Sequence, residues 1–363
     1  MKILHIITSL ELGGAEKLLT ELLPAQIESG HTIELMILSD INAVFKKDLE
    51  EKEVKIYTAK YNSKKSPLNI LEINKRIKTG NYDIIHVHLV HAQYWTRMAR
   101  LLDGNKNRKY LTTEHSTSNR RRNNKILGVI DKFIFNGYDE IVSISNATEK
   151  SLYSWIGGEK EKYAVISNGI DLDIFKGSLS IARDELELED KDIILMMVSR
   201  FHQSKNHKGV IEALEYLPEK YKIVFVGDGT LEEDVKNYAK EKKLELRARF
   251  LGKRRDIPNL LKTADIIIQF SFFEGFGITA VEGMASGKPV IASDVPGLAE
   301  VVLGGGIVCP NDSRKLAEAV LRLEDKEIYN YTAEMCLKKS KEYSIEKSAE
   351  KYIKLYGEIL ERK

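Results

Sequence analysis

Thirteen short apolar runs punctuate the chain, at 3–8, 33–38, 54–57, 84–89, 110–113, 140–145, 163–167, 193–199, 222–226, 249–251, 266–270, 289–292 and 306–309. Most are continuous rather than alternating, as strands are when helices cover both faces of a parallel sheet. Between them lie stretches with helical spacing, among them 14–28, 69–79, 92–102, 146–155, 208–217, 231–241 and 279–285. Strand–helix alternation of this length points to a doubly wound α/β architecture.

The series breaks once. Asn168-Gly169-Ile170-Asp171 reads as a turn, Gly177-Ser178 continues an irregular stretch, and the polar run 184–192 leads into a fresh strand at Ile193. A chain of 363 residues is long enough for two domains. The expected division is 1–170 and 171–344, each half with its own parallel sheet, and a cleft at the carboxyl ends of the strands. The last segment, 345–363, is a charged helix with one apolar stripe through Ala349, Tyr352, Ile353, Tyr356, Ile359 and Leu360. By pattern alone it is a terminal helix packed on the second domain.

Composition excludes several classes. Lys and Arg number 56 against 54 Asp and Glu, a net charge of +2, so no global field marks a nucleic-acid partner. Cys309 and Cys336 share no C-x-x-C spacing, which argues against a zinc site and a disulfide framework. The N-terminal apolar run is short for a secretory signal, and no stretch nears the ~20 apolar residues of a membrane span. A cytoplasmic location is the expectation. Charge is nevertheless uneven. The window 97–125 holds nine basic residues and two acidic ones, a local charge of +7 that leaves −5 on the remainder.

The strongest cluster of candidate site residues is Phe273-Glu274-Gly275-Phe276-Gly277-Ile278-Thr279-Ala280-Val281-Glu282, directly after the apolar run at 266–270. Two glycines in three positions let a backbone approach a ligand, and a helix opening near Thr279 aims free N–H groups at that spot. Glu274 before the helix and Glu282 within it could hold a sugar hydroxyl and a ribose, with a diphosphate between. The same pattern also serves as a plain turn with two surface glutamates. Ser199-Arg200-Phe201-His202-Gln203-Ser204-Lys205 ends the strand at 193–199, where Arg200 and Lys205 could clamp a diphosphate or simply form a solvated loop. Leu12-Gly13-Gly14-Ala15-Glu16 follows the first strand, and neither G-x-G-x-x-G nor G-x-x-x-x-G-K-[ST] occurs. Val226-Gly227-Asp228-Gly229 is another glycine turn, weak alone. His86, His88 and His91 lack a completing Cys or carboxylate, so no metal is expected. The D-x-D of Asp171 and Asp173 sits in a turn and reads as a false positive. A lone histidine is usually structural, but His115 ends a strand, a place that raises the odds of a ligand-facing role.

Together these motifs resemble the retaining nucleotide-sugar glycosyltransferases of family 4. The matches are Gly13-Gly14-Ala15-Glu16, Asp83-Ile84-Ile85-His86-Val87-His88, Asn168-Gly169-Ile170-Asp171, Arg200 with Lys205, and the E-x7-E pair Glu274/Glu282. One departure is Ser199, where the family usually has glycine. The resemblance implies the GT-B fold, two Rossmann-like domains with the donor nucleotide mainly in the second and the segment 345–363 crossing back to the first. It also implies that Glu274 and the backbone of Gly275, Phe276, Gly277, Ile278 and Thr279 hold the donor sugar, and that Glu282 holds the ribose. Arg200 and Lys205 would face the diphosphate, Gly14 would approach from the first domain, and His115 would lie near sugar and acceptor.

The implied reaction moves a hexosyl or N-acetylhexosaminyl group from a nucleotide diphosphate sugar, most simply a UDP-sugar, to a hydroxyl of a glycan or lipid-linked acceptor. No metal or other cofactor is expected. Bacterial surface polysaccharide synthesis is the fitting context. The +7 window would then be the acceptor side or a face for an anionic membrane. Competing readings are a sugar-nucleotide epimerase of the same fold and a two-lobed binding protein without catalysis.

Overall fold

The computed structural model describes residues 1–117, 122 and 124–362. The chain divides into two compact units, Met1–Gly169 with Ile345–Lys363, and Ile170–Ser344. In the first unit the strands are β1 (Lys2–Ile7), β2 (Thr32–Ile37), β3 (Lys55–Thr58), β4 (Ile84–His88), β5 (Lys109–Glu114), β6 (Glu140–Ser143) and β7 (Tyr163–Val165). They lie in the order β3-β2-β1-β4-β5-β6-β7, all parallel. In the second they are β8 (Ile193–Val198), β9 (Tyr221–Val226), β10 (Ala248–Phe250), β11 (Ile266–Gln269), β12 (Val290–Ser293) and β13 (Ile307–Cys309), in the order β10-β9-β8-β11-β12-β13, again parallel.

Strand order reverses at one place in each sheet, between β1 and β4 and between β8 and β11. Loops leaving the carboxyl ends of those two strands diverge to opposite faces and open a crevice. In the first unit the loop after β1 ends at Gly13, the next helix opens at Gly14, and β4 ends on His88. In the second, the loop after β8 carries Arg200 and Lys205, and the loop after β11 carries Glu274. The topology therefore brings each set of motifs to a switch point.

The terminal helix Ile345–Glu361 belongs to the first unit. Ile345, Ala349, Tyr352, Leu355, Tyr356 and Ile359 share a core with Leu18, Leu19, Leu22 and Leu23 of the first helix, Gly14–Glu28. The second-domain packing that pattern alone suggests is thus replaced. The stripe finds an apolar partner on the first helix, and Tyr356 Oη reaches His86 Nδ1 at 2.7 Å inside the first sheet's core. The opposite face of that sheet has its own core, from Leu4, Ile6, Ile85 and Val87 to Ile73, Ile77, Leu152 and Ile156. No helix among the described residues is long and apolar enough to cross a membrane.

Candidate active site

In the second unit, Lys205 and Glu274 are drawn together by backbone before their side chains meet. Lys205 forms an antiparallel bridge with Ser271, Asn206 N–H donates to Phe270 O at 2.9 Å, and Phe272 N–H donates to Ser204 O at 2.8 Å. Asn206 caps the helix His207–Ala213 through Gly209 N–H and donates its amide to Asn311 Oδ1 at 2.8 Å. Asn311 in turn donates to Ser271 O at 2.9 Å. On this scaffold the Lys205 ammonium pairs with the Glu274 carboxylate, both mostly buried. Glu274 Oε1 also accepts from Gly275 N–H at 3.2 Å. Arg200 is exposed at the end of β8 and pairs with no carboxylate among the described residues.

Glycine is required where these loops nest. Gly297 holds φ +86°, and a Cβ there would stand 2.6 Å from both Glu274 O and Gly275 O. Gly227 (φ +138°) would drive a Cβ to 2.1 Å from Ser199 O, and Gly229 (φ +154°) to 2.4 Å from Phe201 O. The turn after β9, weak as a motif, is therefore the shelf on which the Arg200 loop rests, with Phe201 N–H donating to Asp228 O at 2.9 Å. The helix Ile278–Ala285 begins at Gly277, in the left-handed region at φ +91°. Thr279 lies in its first turn, and Glu282, at 3 % exposure, on its inner side. Phe276 turns inward, edge-on to Tyr343 at 5.4 Å between centroids, so only its backbone is available to a ligand. The Ser199 departure has a partner of its own. Its hydroxyl hydrogen-bonds His207 Nε2 at 3.0 Å, and His207 stacks on Phe201 at 4.3 Å.

In the first unit Gly14 is exposed at the start of the first helix, after Gly13 in extended conformation. Leu89, just past β4, is held at φ +67°, a strained setting for a residue with a side chain, and such settings collect at functional sites. His5 lies opposite His86 across the β1–β4 pairing, and His88 ends β4. Ligand atoms of these three histidines fall within 4.8 Å of one another, the geometry of a possible metal centre. All six nitrogens, however, already have hydrogen-bond partners. His115, beyond β5, joins this group through His88. Asp171 caps a short helix by accepting from Asp173 N–H, and Asp173 pairs with Lys176, so the D-x-D is a helix start.

Among the described residues of the basic window, several cations have partners within the unit. Arg108 is buried against Asp103 at 2.6 Å, Arg100 pairs with Asp139 at 2.8 Å, and Lys109 donates to Arg362 O at 2.7 Å. Arg122 donates to Thr117 O at 2.8 Å and Arg97 lies over the Phe133 ring. These cations are spent holding loops and helix ends. Arg120 and Arg121 lie outside the described residues. Sequence reasoning also missed an apolar surface on the helix that follows. On the helix Lys125–Phe135, Ile126 and Val129 are 73 % and 72 % exposed, and Ile130 and Phe133 are exposed as well. The polar Asp131 faces inward and accepts from Tyr94 and Trp155.

Two family models match, Glycosyltransferase Family 4 over residues 12–174 and Glycosyl transferases group 1 over residues 180–343. The chain is a family 4-like glycosyltransferase. It is 27% identical to the UDP-Gal:alpha-D-GlcNAc-diphosphoundecaprenol alpha-1,3-galactosyltransferase of Escherichia coli, over 81% of this chain and 80% of that one. It is 28% identical to the N-acetyl-alpha-D-glucosaminyl L-malate synthase of Bacillus anthracis, over 77% and 76%. Anabaena Alr3699/HepE, solved in complex with UDP-glucose, superposes with a TM-score of 0.85 at 22% identity, over 99% of this chain and 100% of that chain. With two parallel α/β units and neighbours of this kind, the glycosyltransferase has the GT-B fold.

Proposed function

We propose that this glycosyltransferase moves a hexosyl or N-acetylhexosaminyl group from a UDP-sugar to a hydroxyl of a glycan or lipid-linked acceptor, with retention at the anomeric carbon, in bacterial surface polysaccharide synthesis. The observation that carries the reading is the Lys205–Glu274 pair at the β8–β11 switch point, with the Arg200 guanidinium, which pairs with no carboxylate among the described residues, on the same loop. An anionic diphosphate would take Arg200 directly and draw Lys205 from its carboxylate, freeing Glu274 for sugar hydroxyls. Glu282 then holds the ribose, and the backbone of Gly275, Phe276, Gly277, Ile278 and Thr279 follows the sugar. The E. coli relative, a UDP-Gal:alpha-D-GlcNAc-diphosphoundecaprenol alpha-1,3-galactosyltransferase, supports a UDP-sugar and a lipid-linked acceptor.

In this reading the acceptor oxygen attacks the anomeric carbon on the face that the diphosphate leaves. The carbon–oxygen bond to phosphate breaks, and the departing phosphate oxygen takes the hydroxyl proton. Arg200, Lys205 and the N–H groups opening the helix Ile278–Ala285 stabilise the developing charge, the role a divalent cation plays elsewhere. Gly14 and His115, at the switch point of the first unit's own sheet, are assigned to the acceptor. The test is UDP release from a panel of UDP-sugars with and without EDTA, with the product's anomeric configuration read by NMR. Turnover unchanged by chelation and a retained α-linkage are expected. Loss of activity restored by Mg²⁺ or Mn²⁺ would overturn the metal-free assignment.

The same reading places a peripheral membrane contact on the helix Lys125–Phe135. Its exposed Ile126, Val129, Ile130 and Phe133 recur at helical spacing, with Lys125 and Lys132 on the same helix. A helix with apolar residues outward and cations at its flanks suits an anionic lipid interface, where each basic residue adds ~1 kcal/mol. Replacing Ile126, Val129 and Phe133 by Ser should abolish sedimentation with anionic vesicles while UDP binding persists. Unchanged sedimentation would remove the membrane role from this helix.

A further inference from the structure

Gln26 is fully buried on the first helix, and its amide has two different ends. Its Nε2 donates to Tyr356 Oη at 3.3 Å and its Oε1 faces His5 Nε2 at 3.0 Å. An amide oxygen only accepts, so His5 Nε2 carries a proton. Burial keeps His5 neutral, pushed down to about 3, and a neutral imidazole has one N–H. Its Nδ1 is therefore a lone pair. That lone pair stands 3.1 Å from His88 Nε2, which must donate. His88, neutral for the same reason, then offers a lone pair at Nδ1, 3.2 Å from His115 Nε2. His115 in turn donates from Nε2, and burial holds it neutral, near 4. Its Nδ1 is left as an acceptor. Among the described residues it is the one ring nitrogen of the four core histidines, counting His86, with no partner, and it is buried.

The second branch agrees in polarity. Tyr356 accepts from Gln26 and donates to His86 Nδ1 at 2.7 Å, which leaves His86 Nε2 to donate to Thr113 Oγ1 at 2.7 Å. One amide orientation thus satisfies both branches, and the terminal helix, through Tyr356, helps to fix it.

We propose that Gln26, His5 and His88 form a buried tautomer relay that positions the proton of His115 on Nε2 and presents its Nδ1 as a hydrogen-bond acceptor to a hydroxyl of the bound acceptor. The inference rests on the reading that places His115 in the active site. The relay holds a tautomer and cannot drain a proton. If Nδ1 took a proton and each N–H shifted along the chain, the last would arrive at an amide oxygen, which does not keep it. Gln26, His5 and His88 are therefore positioning residues, and the hydroxyl proton leaves with the phosphate.

Long-range proton–nitrogen NMR of the full chain with labelled histidine reads each tautomer directly. His115 is expected as the Nε2–H form. In Gln26→Leu that preference is expected to vanish and turnover to fall about tenfold, with UDP affinity unchanged. Gln26→Glu, which still accepts from His5, should keep both the tautomer and most of the activity. A merely structural glutamine would leave the His115 tautomer unmoved in both variants. An Nδ1–H form in the parent protein overturns the proposal without any variant, and an unaltered tautomer in Gln26→Leu overturns the relay. If the tautomers follow Gln26 but His115→Ala transfers sugar at the parent rate, the relay stands and the active-site role of His115 falls.

Discussion

Glu274→Ala is expected to lower turnover by a factor of about 100 to 1,000 while UDP affinity stays within about threefold, the signature of an interaction made mainly in the transition state. The structure gives the reason for both halves. Glu274 is paired with Lys205, so the carboxylate is not part of the nucleotide's own site until the diphosphate recruits the ammonium. Removing it leaves Lys205 unpaired and available to phosphate, which holds or raises UDP affinity. What is lost is the anchor for the sugar hydroxyls, and with it the alignment of the anomeric carbon. Glu282→Gln is expected to do the reverse, weakening UDP about tenfold with a smaller change in turnover, because the helix Ile278–Ala285 carries it one turn deeper. Glutamine keeps its volume at a site only 3 % exposed, so folding is spared. Steady-state kinetics and calorimetric UDP titration separate the two. Equal, small effects of both changes would remove the E-x7-E pair from the donor site.

The parts of this site legible in the sequence are those whose meaning is local. Glu274, Gly275 and Gly277 follow one strand within eight residues, and Arg200 and Lys205 follow another. Their convergence follows from parallel topology, because β8 and β11 are neighbours whose following loops leave the same edge of the sheet and hydrogen-bond to each other. What the sequence hid depends on register between distant segments. His5 sits inside an apolar run and looks like an interruption. Only the pairing of Ile3 with Ile84 and His5 with His86 sets it beside β4, and only the return of the terminal helix supplies Tyr356. Gln26, one polar residue in a helix otherwise read by its leucines, has no local signal at all. Gly297 and Asn311 are as silent, since their roles are to clear Gly275 and to hold Ser271.

The helix Lys125–Phe135 shows the other limit. Period alone marks Ile126, Val129, Ile130 and Phe133 as one stripe, and the usual inference buries such a stripe. Here Asp131 is inside, held by Trp155 at 3.0 Å and by Tyr94, and the stripe is outside. Pattern gives the stripe, while the hydrogen-bond partners waiting for Asp131 decide which side faces the core. The same weakness explains the basic window. A count of charge over 97–125 takes no account of Asp103 and Asp139, which consume Arg108 and Arg100.

Acid should unfold the first unit before the second. Burial depresses His5 to about 3 and His115 to about 4, and holds His86 and His88 well below the ordinary value of 6.5. Above pH 6.5 these rings are neutral whether the chain is folded or not, and they contribute nothing to the pH dependence. Below it the unfolded chain binds protons that the folded core refuses, so stability falls as pH drops from 6.5 toward the folded values. Each histidine costs about 1.4 kcal/mol per pH unit in that window, about 2 kcal/mol each at pH 5. His5 and His115 together lose about 4 kcal/mol, and His86 and His88 add to that loss in the same direction, against the 5–15 kcal/mol that typically holds a domain. The second unit has His207, depressed to about 4 by burial and then by Lys205, and loses only about 2 kcal/mol. Hydrogen exchange followed from pH 7.5 to 4.5 should therefore show protection lost first along β1, β4, β5 and the terminal helix, with β8, β9 and β11 still protected at about pH 5. The transition should take up about four protons. Loss of both units at one pH, or uptake of a single proton, would mean that the histidine core is hydrated and does not control the acid limit of this fold.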